Sequence, residues 1–597
     1  MKNRPTARAA VTGSARNATS SPASRVPARA AIAASVAVAA AVLVYLPALR
    51  NGFIWDDPLV LQQLRAIRTW GDLVVMPPQI PHYYYRPLIF VSYLVDRALG
   101  GETPFWFHLS VVAFHALNTL LVFRLAAHVF REDWGIAAAS ALLFAVFPTH
   151  VESVAWMAGR SDVIVCTFLL LTVLLSIRRH ATWSAWVGGG TFFLALLSKE
   201  MAIAGLLVVP ALDWLSTRRL YWRRYAPLLV ASIAYFALRQ RSVGALVGGT
   251  PAPAAPAELV LDLLRAVGFY VVRSLAPVGL CAYVPTVPDA AVYLVAGVLV
   301  PLAGAGLIYR AWPQTRWPLA FLLGWFALTL APSLTVIVRR SASAAVADRY
   351  LYVPSVASCM LIAWAIDSVT RQRRLSARWS LGFVAALSAV LGISAATYAR
   401  VWTDNLTFWS DVAAKVPQSA LAQGELASAL LDRGQLDDAE RTWRQALTLP
   451  ADPTSRAMAF SNLGIISRRQ GRFPDAVDAF ESALRIAPHP ALYHNLGMTL
   501  MAKAEQDQRL GDTAAVLDDV RRARSALEAA FTLKDVPAGE VFLEQWDPAK
   551  THALLGQVLI SLGDRAGARE HLQTALRLQP TGPIAEVTRR QLEKVGP

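Results

Sequence analysis

Over its first two thirds the chain alternates long apolar runs with short polar connections. Apolar runs of this kind predict helices, and a helix that spans a bilayer needs about 20 mostly apolar residues. Several runs are shorter, so flanking residues must contribute to those spans. The pattern predicts a transmembrane domain at 30–397 with about 11 helices. These predicted helices are 30–49, 107–130, 135–148, 163–177, 183–197, 202–212, 226–238, 290–308, 319–337, 353–366 and 381–395.

The composition agrees with a membrane protein. Of the 597 residues, 55% are hydrophobic and only 16% are charged, which lies outside the range of ordinary soluble domains. The net charge of +16 comes from short Lys and Arg clusters between apolar segments, so we expect no nucleic-acid partner. Three cysteines, Cys166, Cys281 and Cys359, lie far apart and predict neither a disulfide framework nor a zinc site.

The order of the charges predicts the orientation of the chain. Basic residues concentrate in loops that face the cytoplasm. If the basic N-terminus is cytoplasmic, an odd number of crossings places everything after residue 395 on the opposite face. The basic positions on the cytoplasmic side are then Arg178, Arg179, Arg218, Arg219, Arg223, Arg224, Arg310, Arg316, Arg371, Arg373, Arg374 and Arg378.

Two segments fall outside the predicted spans. Residues 1–29 contain six Lys or Arg, no acid and no apolar periodicity, and they predict a disordered basic cytoplasmic tail. Residues 258–277 mix Asp262, Arg265 and Arg273 into an apolar background. We expect that segment to lie along the outer surface of the membrane, because a crossing there would contradict the basic clusters.

The last third of the chain repeats itself with a period close to 34 residues. A first set of small, apolar and turn residues recurs as a second set at matching offsets. The first set is Leu463, Gly464, Gly471, Ala476, Phe480, Ala483 and Pro488, and the second is Leu555, Gly556, Gly563, Ala568, Leu572, Ala575 and Pro580. These offsets indicate tetratricopeptide repeats, predicted at 421–590 after a linker at 398–420. Such a solenoid usually binds protein segments on its concave face, although a spacer or oligomerisation arm remains an alternative.

The stretch "RNGFIWDDPLV" places two adjacent acids just beyond the first apolar run. Asp56 and Asp57 repel each other, so they need a cation, a proton or a chemical role. A carboxylate near a low-dielectric boundary has a raised proton affinity and is a better general base than a free aspartate. The alternative is an acid pair that caps a helix starting at Pro58.

Five motifs and the repeats together resemble a known family. The motifs are "FIWDD", "YYRPLIFVSYLVDRALGGETPFWFHLSVVAFHALNTLLVF", "FPTHVESVAWMAGRSD", "LLSKEMAI" and "ADRYLYVPS". In this order they are similar to the transmembrane and tetratricopeptide-repeat-containing O-mannosyltransferases, which belong to the GT-C superfamily of membrane glycosyltransferases. The resemblance implies an all-α fold, with a polytopic GT-C-type transmembrane helix bundle followed by a tetratricopeptide-repeat α-solenoid.

The resemblance also assigns roles to residues. An acid of the first outer loop serves as base or positions a metal in GT-C enzymes, which points to Asp56 and Asp57. The departing polyprenyl phosphate needs cations, and the candidates for donor-phosphate binding are Arg86, Arg160, Lys199 and Arg349. Further site candidates are His150, Glu152, Asp162, Glu200 and Tyr350.

Several of these side chains have a second interpretation. A metal requirement is left open, and Asp57, His150 and Glu152 are its candidate ligands. Hydrogen-bonded scaffolding is the alternative for the His150 cluster. In "SKE", Lys199 and Glu200 form either a structural salt bridge or part of the phosphate site. Tyr350 suits a lipid head-group wall or an interfacial anchor.

The function implied by the resemblance is transfer of mannose or another hexose from a polyprenyl-phosphate donor to hydroxyl groups of exported proteins, with acceptors held by the repeats. High Ala and Arg with few Lys suggests a bacterial source. The expected location is therefore the bacterial inner (cytoplasmic) membrane, with a cytoplasmic N-terminus and extracytoplasmic repeats. Two rivals remain: a non-catalytic membrane scaffold whose repeats gather envelope proteins, and a GT-C enzyme acting on glycan or lipid acceptors.

Overall fold

The structure is a computed structural model that describes residues 26–77, 80, 84–178, 182–244, 255–339, 344–533 and 546–596. Within these ranges the regular elements are helices, and one isolated bridge pairs Val284 with Val346. The all-α class predicted from the sequence is therefore confirmed. Most of the predicted N-terminal tail, residues 1–25, lies outside the described residues, as do Arg179 and residue 340.

The first sixteen helices form the apolar bundle. They are α1 Ala28–Tyr45, α2 Asp57–Ala66, α3 Gly71–Val74, α4 Pro87–Gly100, α5 Pro104–Val129, α6 Trp134–Ala145, α7 Val151–Ala155, α8 Arg160–Ile177, α9 Thr182–Ser198, α10 Gly205–Thr217, α11 Trp222–Val243, α12 Pro256–Leu275, α13 Ala291–Arg310, α14 Pro313–Arg339, α15 Ser355–Gln372 and α16 Ala377–Ala399. Short 3-10 helices occupy Leu46–Arg50, Pro148–His150, Glu200–Ala204, Asp348–Leu351 and Arg400–Trp402.

Among the described residues, seven helices are long and apolar enough to cross a membrane. They are Ala28–Arg50, Pro104–Val129, Arg160–Ile177, Glu200–Thr217, Ala291–Arg310, Thr315–Arg339 and Arg378–Trp402. The helices Trp134–Ala145 and Pro148–Ala155 are bent by 46° relative to each other, and if this pair counts as one span, the described residues contain eight candidate spans. Trp183–Ser198 is a shorter apolar helix. The predicted segments 226–238 and 353–366 are helical within α11 and α15, but these helices are outside that set.

Helix α12 covers the segment expected to lie on the outer surface. It packs against α13 at an unusually close crossing, where Gly268 faces Gly297. A Cβ added to Gly268 would lie 1.7 Å from the backbone oxygen of Tyr293. A Cβ added to Gly297 would lie 2.0 Å from the backbone oxygen of Leu264. Only glycine permits this approach of two helix backbones.

The bundle separates two kinds of charge between its ends. Helix α8 begins at Arg160, among the acidic motifs, and its other end leads to Arg178. The guanidinium of Arg224 donates a 2.6 Å hydrogen bond to the carbonyl of Ser176, so the basic residues that follow α8 and precede α11 lie at the same end. The acidic motifs therefore gather at one end of the bundle, and basic clusters at the opposite end.

Nine helices build the C-terminal solenoid. They are α18 Ala420–Asp432, α19 Leu436–Leu447, α20 Pro453–Arg469, α21 Phe473–Ile486, α22 Pro490–Leu510, α23 Thr513–Thr532, α24 Pro548–Ser561, α25 Arg565–Leu578 and α26 Pro583–Val595. Gly464 lies against the ring of Phe480, where an added Cβ would approach to 2.8 Å. Gly471 turns the chain between the two helices with φ 74°. Both positions require glycine, which confirms the predicted repeat pattern.

The connection between bundle and solenoid is packed rather than extended. The predicted linker at 398–420 consists mostly of the end of α16, the turn Arg400–Trp402 and α17 Asn405–Lys415. Phe408, Trp409 and Val412 of α17 are buried in the same apolar core as the bundle helices. Ala422 of the first solenoid helix belongs to this core as well. The start of the solenoid is therefore continuous with the bundle.

Candidate active site

The two adjacent acids occupy different environments. Asp57 is fully buried at the first turn of α2. Its Oδ2 accepts a hydrogen bond from the backbone N–H of Ile54, and its Oδ1 accepts one from the backbone N–H of Ala158, both at 3.0 Å. Asp57 thus joins the loop after the first apolar helix to the turn that precedes α8.

Asp56 is exposed to solvent beside its buried neighbour. It precedes α2 at the helix N-cap, but its side chain makes no capping hydrogen bond. Trp55, immediately before it, has φ 52°, a left-handed conformation that is unfavourable for a residue with a Cβ. The capping role considered from the sequence therefore does not explain Asp56, whose carboxylate faces outward.

Both acids have a raised proton affinity. Burial raises the pKa of Asp57 to about 7, although its two backbone hydrogen bonds and the charge of Arg160 oppose this change. The surrounding protein also raises the pKa of Asp56, and the positive charge of Arg349 opposes that shift. A carboxylate with a raised pKa that still reaches solvent has the properties of a general base.

Three ion pairs lie at the same end of the bundle. Each joins a cation and an acid from the sequence-derived candidates. The pairs are Arg349 with Glu152, Lys199 with Asp162 at 2.7 Å, and Arg86 with Glu200 at 2.7 Å. The backbone N–H of Arg349 also donates to Glu152 at 2.9 Å. Paired acids hold these cations in fixed positions, as a preorganised anion site requires.

The three pairs form one electrostatic network. The charges of Arg86 and Arg349 both act on Lys199, and Asp162 acts on both arginines. The ring of Tyr350 lies 5.0 Å from the guanidinium carbon of Arg349 and 5.4 Å from the ammonium of Lys199. Because Arg349 also acts on Asp56, the network extends to the exposed acid.

Arg160 has a different environment from the other candidate cations. It is fully buried, and its Nη1 lies 2.5 Å from Oδ2 of Asp96. Its other donors reach the hydroxyl of Ser92 at 3.1 Å and the carbonyl of Phe107 at 2.8 Å. These contacts tie α4, α5 and α8 together. Arg86 and Arg349 are partly exposed and are therefore better placed for phosphate binding than Arg160. Lys199 is buried against Asp162, but the charges of both arginines act on it, so it remains a candidate with them.

His150 lies within the bundle core. Its Nε2 is 2.7 Å from the hydroxyl of Ser355, and its ring packs against Phe144 and Tyr352 at centroid distances of 4.5 Å. Within the part of the chain that the structure describes, no group of three His, Cys, Asp or Glu side chains is arranged to hold a metal. The three candidate metal ligands, Asp57, His150 and Glu152, thus do not form such a group.

Sequence reasoning missed several residues of this region. Asp348 is buried and lies 3.2 Å from Arg273 of α12, and burial raises its pKa to about 7. Glu425 of α18 has its pKa raised to about 7 by burial and by the charge of Asp56. The motif "ADRYLYVPS" did contain Asp348, but no local signal marks Glu425, because its proximity depends on how the solenoid begins.

The arrangement combines an exposed carboxylate, Asp56, with fixed cations at one end of an apolar bundle. Such a set can remove a proton from a hydroxyl and stabilise an anion that leaves the same centre. These are the requirements of group transfer from a phosphate carrier.

Comparison with known proteins identifies the relatives of this chain. A tetratricopeptide repeat family model matches residues 418–489, and a second matches residues 549–581. The chain is 36% identical over 201 residues to protein O-mannosyl-transferase Tmtc1 of Drosophila melanogaster, covering 30% of this chain and 22% of the relative. It is 24% identical over 453 residues to protein O-mannosyl-transferase F38B6.6 of Caenorhabditis elegans, covering 70% of this chain and 62% of the relative.

Solved structures give weaker similarities. The crystal structure of ArnT from Cupriavidus metallidurans bound to undecaprenyl phosphate matches with 16% identity and a TM-score of 0.37, covering 76% of this chain and 80% of that one. TTC0263, a thermophilic tetratricopeptide-repeat protein of Thermus thermophilus, matches with 22% identity and a TM-score of 0.24, covering 30% of this chain and 84% of that one.

The matched regions span only part of the curated relatives. They cover 22% of Drosophila Tmtc1 and 20% of Drosophila Tmtc2. Over these parts of their length, the chain is similar to the transmembrane and tetratricopeptide-repeat-containing protein O-mannosyltransferases.

Proposed function

We propose that the chain is a GT-C membrane glycosyltransferase that moves a hexose, mannose in the first instance, from a polyprenyl-phosphate donor to hydroxyl groups of exported proteins. The observation that carries the proposal is the exposed Asp56 beside the network of Arg86, Lys199 and Arg349. The names of the homologous mannosyltransferases support the choice of sugar and acceptor.

Asp56 acts as the general base in this proposal. Its carboxylate takes the proton of a Ser or Thr hydroxyl as that oxygen attacks the anomeric carbon of the sugar. The new carbon–oxygen bond forms on the face opposite the phosphate, so the configuration inverts. Asp57 holds the loop through Ile54 and Ala158 and takes no part in the proton transfer.

The cations stabilise the leaving group. As the bond between the anomeric carbon and the phosphate oxygen breaks, its electron pair goes to the phosphate, which departs with an added negative charge. Arg86, Lys199 and Arg349 supply charge-assisted hydrogen bonds to this anion. Their acidic partners keep them in position between turnovers.

The orientation follows from the charge of the two bundle ends. With the basic end in the cytoplasm, the acidic end and the solenoid lie outside, where exported proteins are available. In a bacterium this is the outer side of the cytoplasmic membrane. A phosphatase reporter that is active only outside the cytoplasm, fused after α26, should be active. Activity of a cytoplasm-specific reporter at that point would reverse the proposed topology.

The solenoid supplies the acceptor site. A cavity of about 380 Å³ opens between α22 and α23, with Tyr493, Leu496, Arg521 and Ser525 among its lining residues. Aromatic, aliphatic and basic groups together suit an extended protein segment. Recognition by the repeats and chemistry by the bundle are thereby assigned to separate parts of the chain.

Intact-mass analysis of exported proteins tests the proposed function. Proteins from cells with and without this chain are compared, and cells expressing the Asp56→Asn variant form a third sample. We expect hexose-sized increments only when the unaltered chain is present. The scaffold alternative predicts no such increments, and the glycan or lipid alternative predicts changes in those molecules while protein masses stay constant.

A further inference from the structure

The loop that carries Asp56 is held by a segment 350 residues later in the chain. The backbone N–H of Trp55 donates a 2.9 Å hydrogen bond to Oδ1 of Asn405, the first residue of α17. The backbone N–H of Gly52 donates to the carbonyl of Thr403, also at 2.9 Å. Two points of the loop are thus attached to the turn that follows the last apolar helix.

The side chain of Trp55 is held by the same segment. Its ring stacks on Trp156 with a centroid distance of 4.8 Å and an interplanar angle of 13°. On the side of α17, the ring contacts Phe408 at 5.5 Å and Trp409 at 5.7 Å. The indole is therefore enclosed by the turn before α8 on one face and by α17 on another.

These contacts explain an otherwise unfavourable backbone conformation. Trp55 has φ 52°, and a left-handed conformation is unfavourable for a residue with a Cβ. Such conformations persist where surrounding contacts determine them, and they are concentrated at functional sites. The conformation of Trp55 sets the direction in which the chain continues to Asp56.

Asn405 is free to make this contact because another residue caps its helix. Asp404 accepts hydrogen bonds from the backbone N–H groups of Leu406 and Thr407, at 3.0 and 3.1 Å. The first turn of α17 is thereby satisfied without Asn405. The side chain of Asn405 instead points to the loop of Asp56.

We propose that Asn405 is a positioning residue of the transferase, which accepts the N–H of Trp55 and so fixes the carboxylate of Asp56 relative to the cation network. The proposal rests on the proposed function and adds that the segment between bundle and solenoid completes the active site. A displaced base loses proton transfer while substrate binding remains, so the effect falls on kcat and leaves KM for the donor unchanged.

A pair of nearly isosteric substitutions tests this role in the full-length purified protein. Asn405→Asp retains an acceptor oxygen, and its charge is favourable at a helix N-terminus. Asn405→Leu retains the approximate size and removes the acceptor. Thr407→Ala, an exposed position on the same helix whose hydroxyl contacts only Asp404 among the described residues, is the matched control.

We expect Asn405→Leu to lower kcat by about 10-fold or more with unchanged KM for the donor. Asn405→Asp adds a negative charge that moves the acid limb of the pH profile to higher pH, so rates are compared above that limb and normalised to folded protein. There, Asn405→Asp and Thr407→Ala should stay close to the unaltered protein. Equal rates for the Leu and Asp variants would overturn the positioning role. Equal rates of the two Asn405 variants, found while the unaltered protein transfers sugar and Asp56→Asn does not, would reject the role of Asn405 and leave the proposed function standing. Absence of transfer by the unaltered protein rejects the proposed function, and the inference with it.

Discussion

Asp57 accepts a hydrogen bond from the backbone N–H of Ala158, which lies 101 residues further along the chain. The same carboxylate accepts the N–H of Ile54. An asparagine at position 57 can accept at only one of these two places, because its amide nitrogen is a donor. We predict that Asp57→Asn lowers the free energy of unfolding by about 1–3 kcal/mol, measured by denaturation in detergent.

The matched comparison is Asp56→Asn, which removes no hydrogen bond shown by the structure. It should leave the unfolding free energy within about 0.5 kcal/mol of the unaltered protein. Unchanged stability of the Asp57 variant together with loss of transfer would mean that Asp57, and not Asp56, performs the chemistry.

The pH dependence of transfer should report the charges around Asp56. The base must be ionised, so transfer rises with pH through the pKa of Asp56, which is raised above its ordinary value of 3.8. Arg349→Gln removes a positive charge that lowers this pKa, so the acid limb of kcat/KM should move to higher pH. Burial and the charge of Asp56 raise the pKa of Glu425 to about 7, so Glu425 ionises after Asp56, and Glu425→Gln should leave the acid limb in place.

Burial and, to a lesser extent, the charge of Asp56 raise the pKa of Asp57 to about 7, so this acid contributes to the same profile. The direction of each shift is measured by initial rates of transfer across pH values in one detergent. An acid limb that stays in place or moves to lower pH in the Arg349→Gln variant would contradict the assignment of Asp56 as the titrating base.

Arg160 and Arg86 should respond differently to substitution. Arg160 is fully buried and paired with Asp96, and removing one partner of a buried ion pair costs about 3–5 kcal/mol. Arg160→Gln should therefore lower the yield of folded protein. Arg86 is partly accessible in the cation network, so Arg86→Gln should raise KM for the donor while the protein still folds. The measurements are detergent-resistant folded yield and donor titration.

The solenoid cavity should affect only large acceptors. Tyr493→Ala combined with Arg521→Ala removes an aromatic and a cationic lining group. Transfer to a natural protein acceptor should fall about 10-fold or more through a raised KM, while transfer to a short Ser/Thr peptide stays constant. Leu578→Ala, an exposed apolar residue of α25, is the control. Equal losses for peptide and protein acceptors would indicate that the two residues support folding.

The sequence predicted the features that depend on local pattern. Gly464 and Gly471 marked the repeat because each lies where its helix pair needs a close approach or a left-handed turn. Asp56 and Asp57 were recognised as a pair, but nothing in the sequence indicated that Ala158, which is distant in the chain, donates a hydrogen bond to Asp57.

The contacts between distant segments had no local signal. In the sequence, Asn405 has no feature that distinguishes it from other residues at the start of a helix. Its contact with Trp55 exists because α17 packs against the loop that carries Asp56. Asp96 likewise gives no sign in the sequence that it neutralises Arg160. Within the predicted linker at 398–420, Thr403 and Asn405 accept hydrogen bonds from the loop of Asp56.

The most direct test measures sugar transfer by purified protein from a defined polyprenyl-phosphate mannose to a Ser/Thr peptide. Three proteins are compared: the unaltered chain, Asp56→Asn, and Glu102→Gln. Glu102 lies in the same loop between the first two candidate spans and forms a surface ion pair with Arg65 at 2.6 Å, which contributes about 1 kcal/mol or less. We expect Asp56→Asn to reduce transfer about 100-fold or more and Glu102→Gln to leave it unchanged. Transfer by Asp56→Asn at the rate of the other two proteins would contradict the central claim that Asp56 is the base.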